Sequence, residues 1–282
     1  MATITGVLVE DGQDIFLERI FNDDDTNRTG LNIGLMTNGA GLTVASVLTD
    51  IDPPDATNGY AAKALTDGSW TVAGNGAELG DTGSYAKQTF TASGGAFSAA
   101  VTGWYMFTSG VDPKLIAYCY SGSLDTITAG ASVDVTPSVK LNTGTDGTVV
   151  DQGTEDMLEL CLNNDDKYST GARNLYMELY VNSTNMTSQT FYNFLTEPEG
   201  GGYVANGEVI PKTWTIANGV ATPAAVTSWT ATEDWSDGTG VKGYAIVTNG
   251  VPKLLYAWDA YVSAPINVLD GDTYTVDLTV ST

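Results

Sequence analysis

The chain repeats itself across its whole length, and that constrains its organisation more than any motif. Trp70-Thr-Val-Ala recurs as Trp214-Thr-Ile-Ala, 144 residues on. Val101-Thr-Gly-Trp104 recurs as Val241-Lys-Gly-Tyr244, at an offset of 140. Thr108-Ser-Gly-Val111-Asp-Pro-Lys-Leu115 is answered by Thr248-Asn-Gly-Val251-Pro-Lys-Leu254, with Asp112 as the one extra residue of the first copy. Two further pairs lie 141 residues apart: Thr128-Ala-Gly130 through Val135 with Leu269-Asp-Gly271 through Val276, and Phe16-Leu-Glu through Asp25 with Met157-Leu-Glu through Asp166. Five pairs in the same order exclude coincidence. The spacing far exceeds the ~20–50 residues of a solenoid or propeller repeat. The expected organisation is two similar domains in tandem, residues 1–143 and 144–282, with the seam near Gly144-Thr-Asp-Gly147.

Within one unit the pattern is that of β-structure. Ser69–Ala73, Ala86–Ala92, Val101–Thr108, Leu115–Tyr120 and Ser132–Leu141 are apolar runs bounded by Gly, Asp, Asn or Pro, and Leu31–Met36 and Leu175–Val181 follow an Asn/Asp-rich loop in the two copies. In Leu175–Val181 the residues Leu175, Met177, Leu179 and Val181 fall on one face, as in a half-buried strand. Ser109-Gly110 and Asn249-Gly250 each separate two such runs and mark hairpins. About six to eight short strands per unit, with frequent turn signals, predict a β-sandwich of jelly-roll type. Leu17, Ile20 and Phe21, like Leu158, Cys161 and Leu162, have the i, i+3, i+4 spacing of a short N-terminal helix. Glu155 and Asp156 would sit in its first turn, where they complement the helix dipole. A strand is the other reading of this short stretch. The fold class is therefore all-β: two tandem jelly-roll-like β-sandwich domains, each with a short N-terminal helix. Trp70, Trp104 and Trp214 lie inside strand patterns and read as core filling.

Composition removes several chemistries. The 282 residues contain no histidine, so Ser–His and Cys–His nucleophiles and His-ligated metals are excluded. Eleven basic against 34 acidic residues leave a net charge of −23, the wrong sign for a nucleic-acid backbone or an anionic membrane surface. No window has the uninterrupted apolar length of a membrane span, and MATITGVLVEDG lacks the basic and apolar regions of a signal peptide. Cys119 and Cys161 do not make a disulfide scaffold. Asn27-Arg-Thr29, Asn182-Ser-Thr184 and Asn185-Met-Thr187 match the glycosylation pattern and, without a secretory signal, read as polar loops.

The acidic clusters are weak as sites. Asp23-x-Asp25-x-Asn27 begins like a calcium loop, but Arg28 and Gly34 stand where an EF-hand loop needs Gly and Glu. Asn164-x-Asp166-x-Tyr168 and Asp234-x-x-Asp237 fit less well. Glu199-Gly-Gly-Gly202 lacks the Lys-Ser/Thr of a phosphate loop. No carboxylate pair is singled out, so no catalytic, cofactor or metal residue is assigned and no enzyme activity is expected.

One series of residues does resemble a known group. It runs from Leu175–Asn182 through Met186-Thr187, Thr196-Glu-Pro-Glu, Gly202-Tyr203, Trp214-Thr, Val241-Lys-Gly-Tyr244 and Lys253-Leu-Leu to Gly271-Asp-Thr and Val276. It resembles small structural proteins encoded by tailed bacteriophages, whose members are usually single units of this kind. The first copy matches it with Gly59-Tyr60, Trp70-Thr, Tyr85 to Phe90, Val101-Thr-Gly-Trp104, Lys114-Leu-Ile and Val135-Thr-Pro137. The usual Leu-Trp after the hairpin is replaced by Leu115-Ile and Leu254-Leu-Tyr256. The resemblance carries no catalytic residues. It implies a virion protein, assembled in the host bacterial cytoplasm, most simply a capsid decoration (cement) protein. Its partners would be the major capsid protein or other virion proteins, with a homo-oligomer, a trimer before a dimer, and neither nucleic acid nor membrane. The alternative is a tail-fibre, knob or neck protein, with a glycan-binding surface that would need exposed aromatics. Trp229 and Trp235 are the candidates; Phe90 stands near the place of Trp229 in the first copy, and nothing there matches Trp235.

Overall fold

A computed structural model describes residues 7–8, 12, 15–16, 30–73, 82–97, 100–122, 126–140, 174–181, 192, 195–210, 212–218, 220–225, 227–235, 240–248, 253, 255–260, 265–276, 278 and 280–281. The strands of the first half are β1 (Val7–Leu8), β2 (Leu31–Met36), β3 (Lys63–Leu65), β4 (Thr71–Ala73), β5 (Thr82–Ser84), β6 (Gln88–Thr91), β7 (Gly103–Thr108), β8 (Leu115–Tyr120), β9 (Ser132–Val135) and β10 (Ser138–Lys140). Those of the second are β11 (Leu175–Tyr180), β12 (Glu208–Val209), β13 (Trp214–Ala217), β14 (Val220–Pro223), β15 (Thr227–Thr230), β16 (Gly243–Thr248), β17 (Leu255–Ala260), β18 (Thr273–Val276) and β19 (Val280–Ser281). The protein is all-β, and no described helix reaches seven residues.

The same three sheets occur in each half. The order β8-β7-β2-β3 recurs as β17-β16-β11-β12, β4-β5-β10 as β13-β14-β19, and β6-β9 as β15-β18. The registers correspond. Leu31 opposes Thr108 as Leu175 opposes Thr248, and both central hairpins carry an irregularity, after Met106 and after Ile246. In the first half β1 extends the large sheet along β8. No described sheet crosses between the halves. Their buried apolar residues nevertheless form one contiguous cluster, which includes Ile33, Leu35 and Met106 of the first half and Met177, Leu179 and Ile246 of the second.

Several expectations change in detail. The strands are shorter and more numerous than six to eight per unit. Ser132–Leu141 is broken into β9 and β10 at Thr136-Pro137, where proline removes a ladder donor. Leu175–Tyr180 is not half-buried. Residues 175, 177 and 179 face the main core, but Glu178 and Tyr180 are buried on the other face as well. A smaller cluster of Tyr180, Ala245, Val247, Leu255 and Trp258, with Tyr192 and Leu195 packed against it, covers that face. The first half has its counterpart in Met36, Ile51, Tyr105, Leu115 and Tyr118. Ile15 and Phe16 are helical and buried. The expected helix positions Leu17 to Phe21 and Leu158 to Leu162, the seam at 143/144, and the three glycosylation-like triplets lie outside the described residues. Among the described residues no helix is long and apolar enough to cross a membrane.

Candidate functional site

Each half is built around one tyrosine. Tyr60 stacks on Phe90 (6.1 Å between centroids) and meets Phe97 edge-on (5.9 Å). Tyr203 stacks on Trp229 (6.4 Å) and meets Trp235 edge-on (5.6 Å). Both hydroxyls accept a hydrogen bond from a strand amide: Leu35 N–H to Tyr60 at 2.9 Å, Leu179 N–H to Tyr203 at 3.2 Å. Each of these amides lies just past the end of the short neighbouring strand, β3 or β12, so the phenol continues the ladder where the strand stops. The glycines before the tyrosines have left-handed φ, +82° at Gly59 and +84° at Gly202. A Cβ at Gly202 would collide with the Thr230 carbonyl oxygen. This explains the repeated Gly-Tyr pair: the backbone must turn sharply and press against a strand before the ring can enter the core.

The same packing corrects the aromatic assignment. Trp229 is 2% exposed and Trp235 5%, so neither presents a face to a glycan. The Trp235 indole N–H donates to the Gly201 carbonyl at 3.0 Å, inside the protein. The first half does have a counterpart of Trp235. Phe97 N–H bonds Ile127 O as Trp235 N–H bonds Val268 O, and each ring packs edge-on against its tyrosine. Sequence comparison misses Phe97 because the spacing of the loop before it differs and Trp has become Phe.

The halves diverge on the outer face of the large sheet. At one register position the first half has Gly34 opposite Tyr105, and the second has Glu178 opposite Ala245. A Cβ at Gly34 would meet the Tyr105 ring at 2.6 Å, so that ring fills the space Glu178 takes in the other half. The lysine after the hairpin diverges in parallel. Lys114 pairs locally with Asp112, the residue inserted only in the first copy, at 3.1 Å. Lys253 reaches inward to Glu178 Oε1 at 2.8 Å. Its ammonium also donates to Tyr192 Oη at 3.1 Å and Asn206 Oδ1 at 3.0 Å, and lies 5.0 Å from the Tyr192 ring centre. Glu197, close by, accepts from Tyr203 Oη at 2.7 Å and from Asn206 N–H at 2.9 Å.

This is the most polar buried arrangement among the described residues. Burial raises the Glu178 pKa above the usual carboxylate range; Lys253 opposes the shift and the Glu197 charge adds to it. Burial works to lower Lys253, but its hydrogen bonds to Glu178 and Tyr192 outweigh that and hold it above its ordinary value. The Glu178 side chain is wholly buried, so desolvation prevails, whereas Lys253 keeps 20% exposure, so pairing prevails. Glu178 Oε2 is buried without a hydrogen-bond partner among the described residues. Sequence reasoning misses Glu178 because alternation assigns it to the outward face of a strand.

The remaining candidates place simply. Asp23, Asp25, Asn27, Asn164, Asp166, Tyr168, Asp237, Cys161 and the hairpin residues Asn249-Gly250 lie outside the described residues. Asp234 accepts from the Asp270 N–H at 2.8 Å and so ties two turns together. No metal-binding cluster of His, Cys, Asp or Glu occurs among the described residues. Cys119 is a buried free thiol in β8, pushed up to about 11 by burial. An open groove runs along residues 38–42, Ser46 and Asp50, and Val44 and Val47 stand exposed on the same loop. Comparison with family models, curated proteins and solved structures yields no match.

Proposed function

We propose that the chain is a structural virion protein of a tailed bacteriophage, most simply a capsid decoration protein, built from two tandem copies of one jelly-roll-like unit. The observation that carries a docking role is what the halves share. They keep the sheets, the Tyr-centred aromatic trio and the Gly-Tyr turn, and the one buried charged cluster among the described residues belongs to the second half alone. A shared core without a shared buried charged cluster among the described residues fits a duplicated scaffold. The phage reading itself rests on the resemblance of the turn and strand motifs. A net charge of −23 suits a surface that stays soluble at high local concentration and avoids the packaged genome. Val44 and Val47 offer an apolar contact to a lattice, beside a groove whose lining mixes Leu42 and Ala40 with Asn38, Ser46 and Asp50. The glycan-binding alternative loses Trp229 and Trp235, the residues on which it stood.

The test is the copy number in purified particles by quantitative mass spectrometry. Hundreds of copies per particle fit head decoration, and a dozen or fewer fit a neck or tail part. Absence from particles overturns the virion reading.

A further inference from the structure

Lys253, Asn206 and Glu178 come from three separate segments. Lys253 stands just ahead of β17, Glu178 lies in β11, and Asn206 sits in the turn leading to β12. The Lys253 nitrogen touches both other side chains, at 2.8 Å and 3.0 Å. Asn206 is held in place, with left-handed φ at +71° and its N–H bonded to the Glu197 carboxylate. One Glu178 oxygen faces the ammonium and the other is buried without a partner among the described residues. Tyr192 covers the ammonium with its ring and hydroxyl. An amine in contact with both a carboxamide and a buried carboxylate supplies the components of an amide exchange.

We propose that Lys253 and Asn206 join spontaneously in an intramolecular isopeptide bond, with Glu178 carrying the protons. Glu178 first takes a proton from the ammonium along their hydrogen bond, which exchanges a buried ion pair for two neutral groups. The free amine attacks the Asn206 side-chain carbonyl carbon, and the C–N bond forms. The tetrahedral intermediate collapses as Glu178 returns its proton to the departing amide nitrogen, the old C–N bond breaks and ammonia leaves. The attacking nitrogen gives up its second proton to the carboxylate, which the released ammonia can then accept. The sum is amine plus carboxamide giving secondary amide plus ammonia; no oxidant, metal or cofactor enters.

The bond would fasten residues beside the two edge strands, β12 and β17, of the sheet ordered β12-β11-β16-β17. A crosslink of this kind restricts the unfolded chain as a disulfide does, without depending on the redox state of its surroundings. The first half cannot make it from this site, because Gly34 replaces the carboxylate and Lys114 is engaged by Asp112. This inference stands independently of the virion reading.

The experiment is tryptic digestion of the full chain followed by tandem mass spectrometry. Trypsin separates residues 174–212 from 243–253, and no Lys or Arg follows Lys253. The bond joins 174–212 to 243–282 in one branched peptide, lighter than the sum of its parts by one ammonia, about 17 Da. Succinimide formation at Asn206-Gly207 also loses ammonia but leaves the two peptides separate. Lys253→Arg should abolish the branched peptide, and Asn206→Asp should keep it with loss of water instead. Glu178→Gln should remove it. A branched peptide at unchanged yield in Glu178→Gln overturns the proton-carrier role, and the wild-type digest decides the bond however that variant folds. Separate, unmodified peptides from the wild-type chain overturn the proposal.

Discussion

Replacing Tyr60 by Phe removes one hydroxyl and leaves the ring where it is. The contacts with Phe90 and Phe97 survive, so the change isolates the hydrogen bonds. Tyr60 Oη accepts from Leu35 N–H at 2.9 Å and donates to Leu35 O at 3.2 Å, both within the core. β3 pairs only with Leu31, Asn32 and Ile33, so it has ended before Leu35. With the hydroxyl gone, a buried amide loses its partner where water cannot replace it. An orphaned buried donor costs about 1–3 kcal/mol, and about 2 kcal/mol is expected here. Tyr203→Phe should cost as much or somewhat more, because Tyr203 also donates to the Glu197 carboxylate at 2.7 Å. Tyr85→Phe is the control. Its hydroxyl accepts from Thr66 N–H at 2.9 Å at an exposed position, where water substitutes, so less than about 0.5 kcal/mol is expected. Equilibrium urea unfolding checks all three, provided the slope of each transition stays unchanged. If Tyr60→Phe costs no more than Tyr85→Phe, the phenol is not completing the ladder and the account of the Gly-Tyr pair is wrong.

Three other outcomes follow from the same structure. Gly202→Ala should destabilise by more than about 1 kcal/mol, since a Cβ there runs into the Thr230 carbonyl with φ at +84°; a neutral result in the same urea assay would contradict the tight approach of this turn to β15. The Cys119 thiol rises from 9.0 to about 11 on folding, so its neutral form is the folded one. Its contribution to stability is fully present below pH 9 and is lost as the pH climbs through about 11, with the unfolded thiol ionising first. Peptide-resolved alkylation at pH 8.5 should accordingly label Cys119 far more slowly in the native protein than in the urea-unfolded chain, and equal rates would refute the burial. Finally, with 11 basic residues against 34 acidic ones, the purified protein should not retard DNA or RNA in a gel at physiological salt, and salt-sensitive retardation would count against the electrostatic reading.

The local rules of strands and turns were legible in the sequence. Leu115–Tyr120 forms a strand at its expected limits, and Ser69–Ala73, Ala86–Ala92 and Val101–Thr108 hold shorter strands, because apolar runs between turn residues can pair but need not pair to their ends. The repeated motifs reappear as repeated sheet orders, and Trp70, Trp104 and Trp214 are buried as their strand settings imply. What covers each face was not legible. Alternation in Leu175–Tyr180 tells which residues share a side, but Tyr192, Leu195 and Trp258 decide that the second side is also dry, and so make Glu178 a buried acid. Trp229 and Trp235 become core, and Phe97 becomes the equal of Trp235, through contacts with a tyrosine distant in sequence. Periodicity and turn chemistry act between near neighbours, which the sequence alone displays. Burial and charge pairing act between segments that only the folded chain brings together.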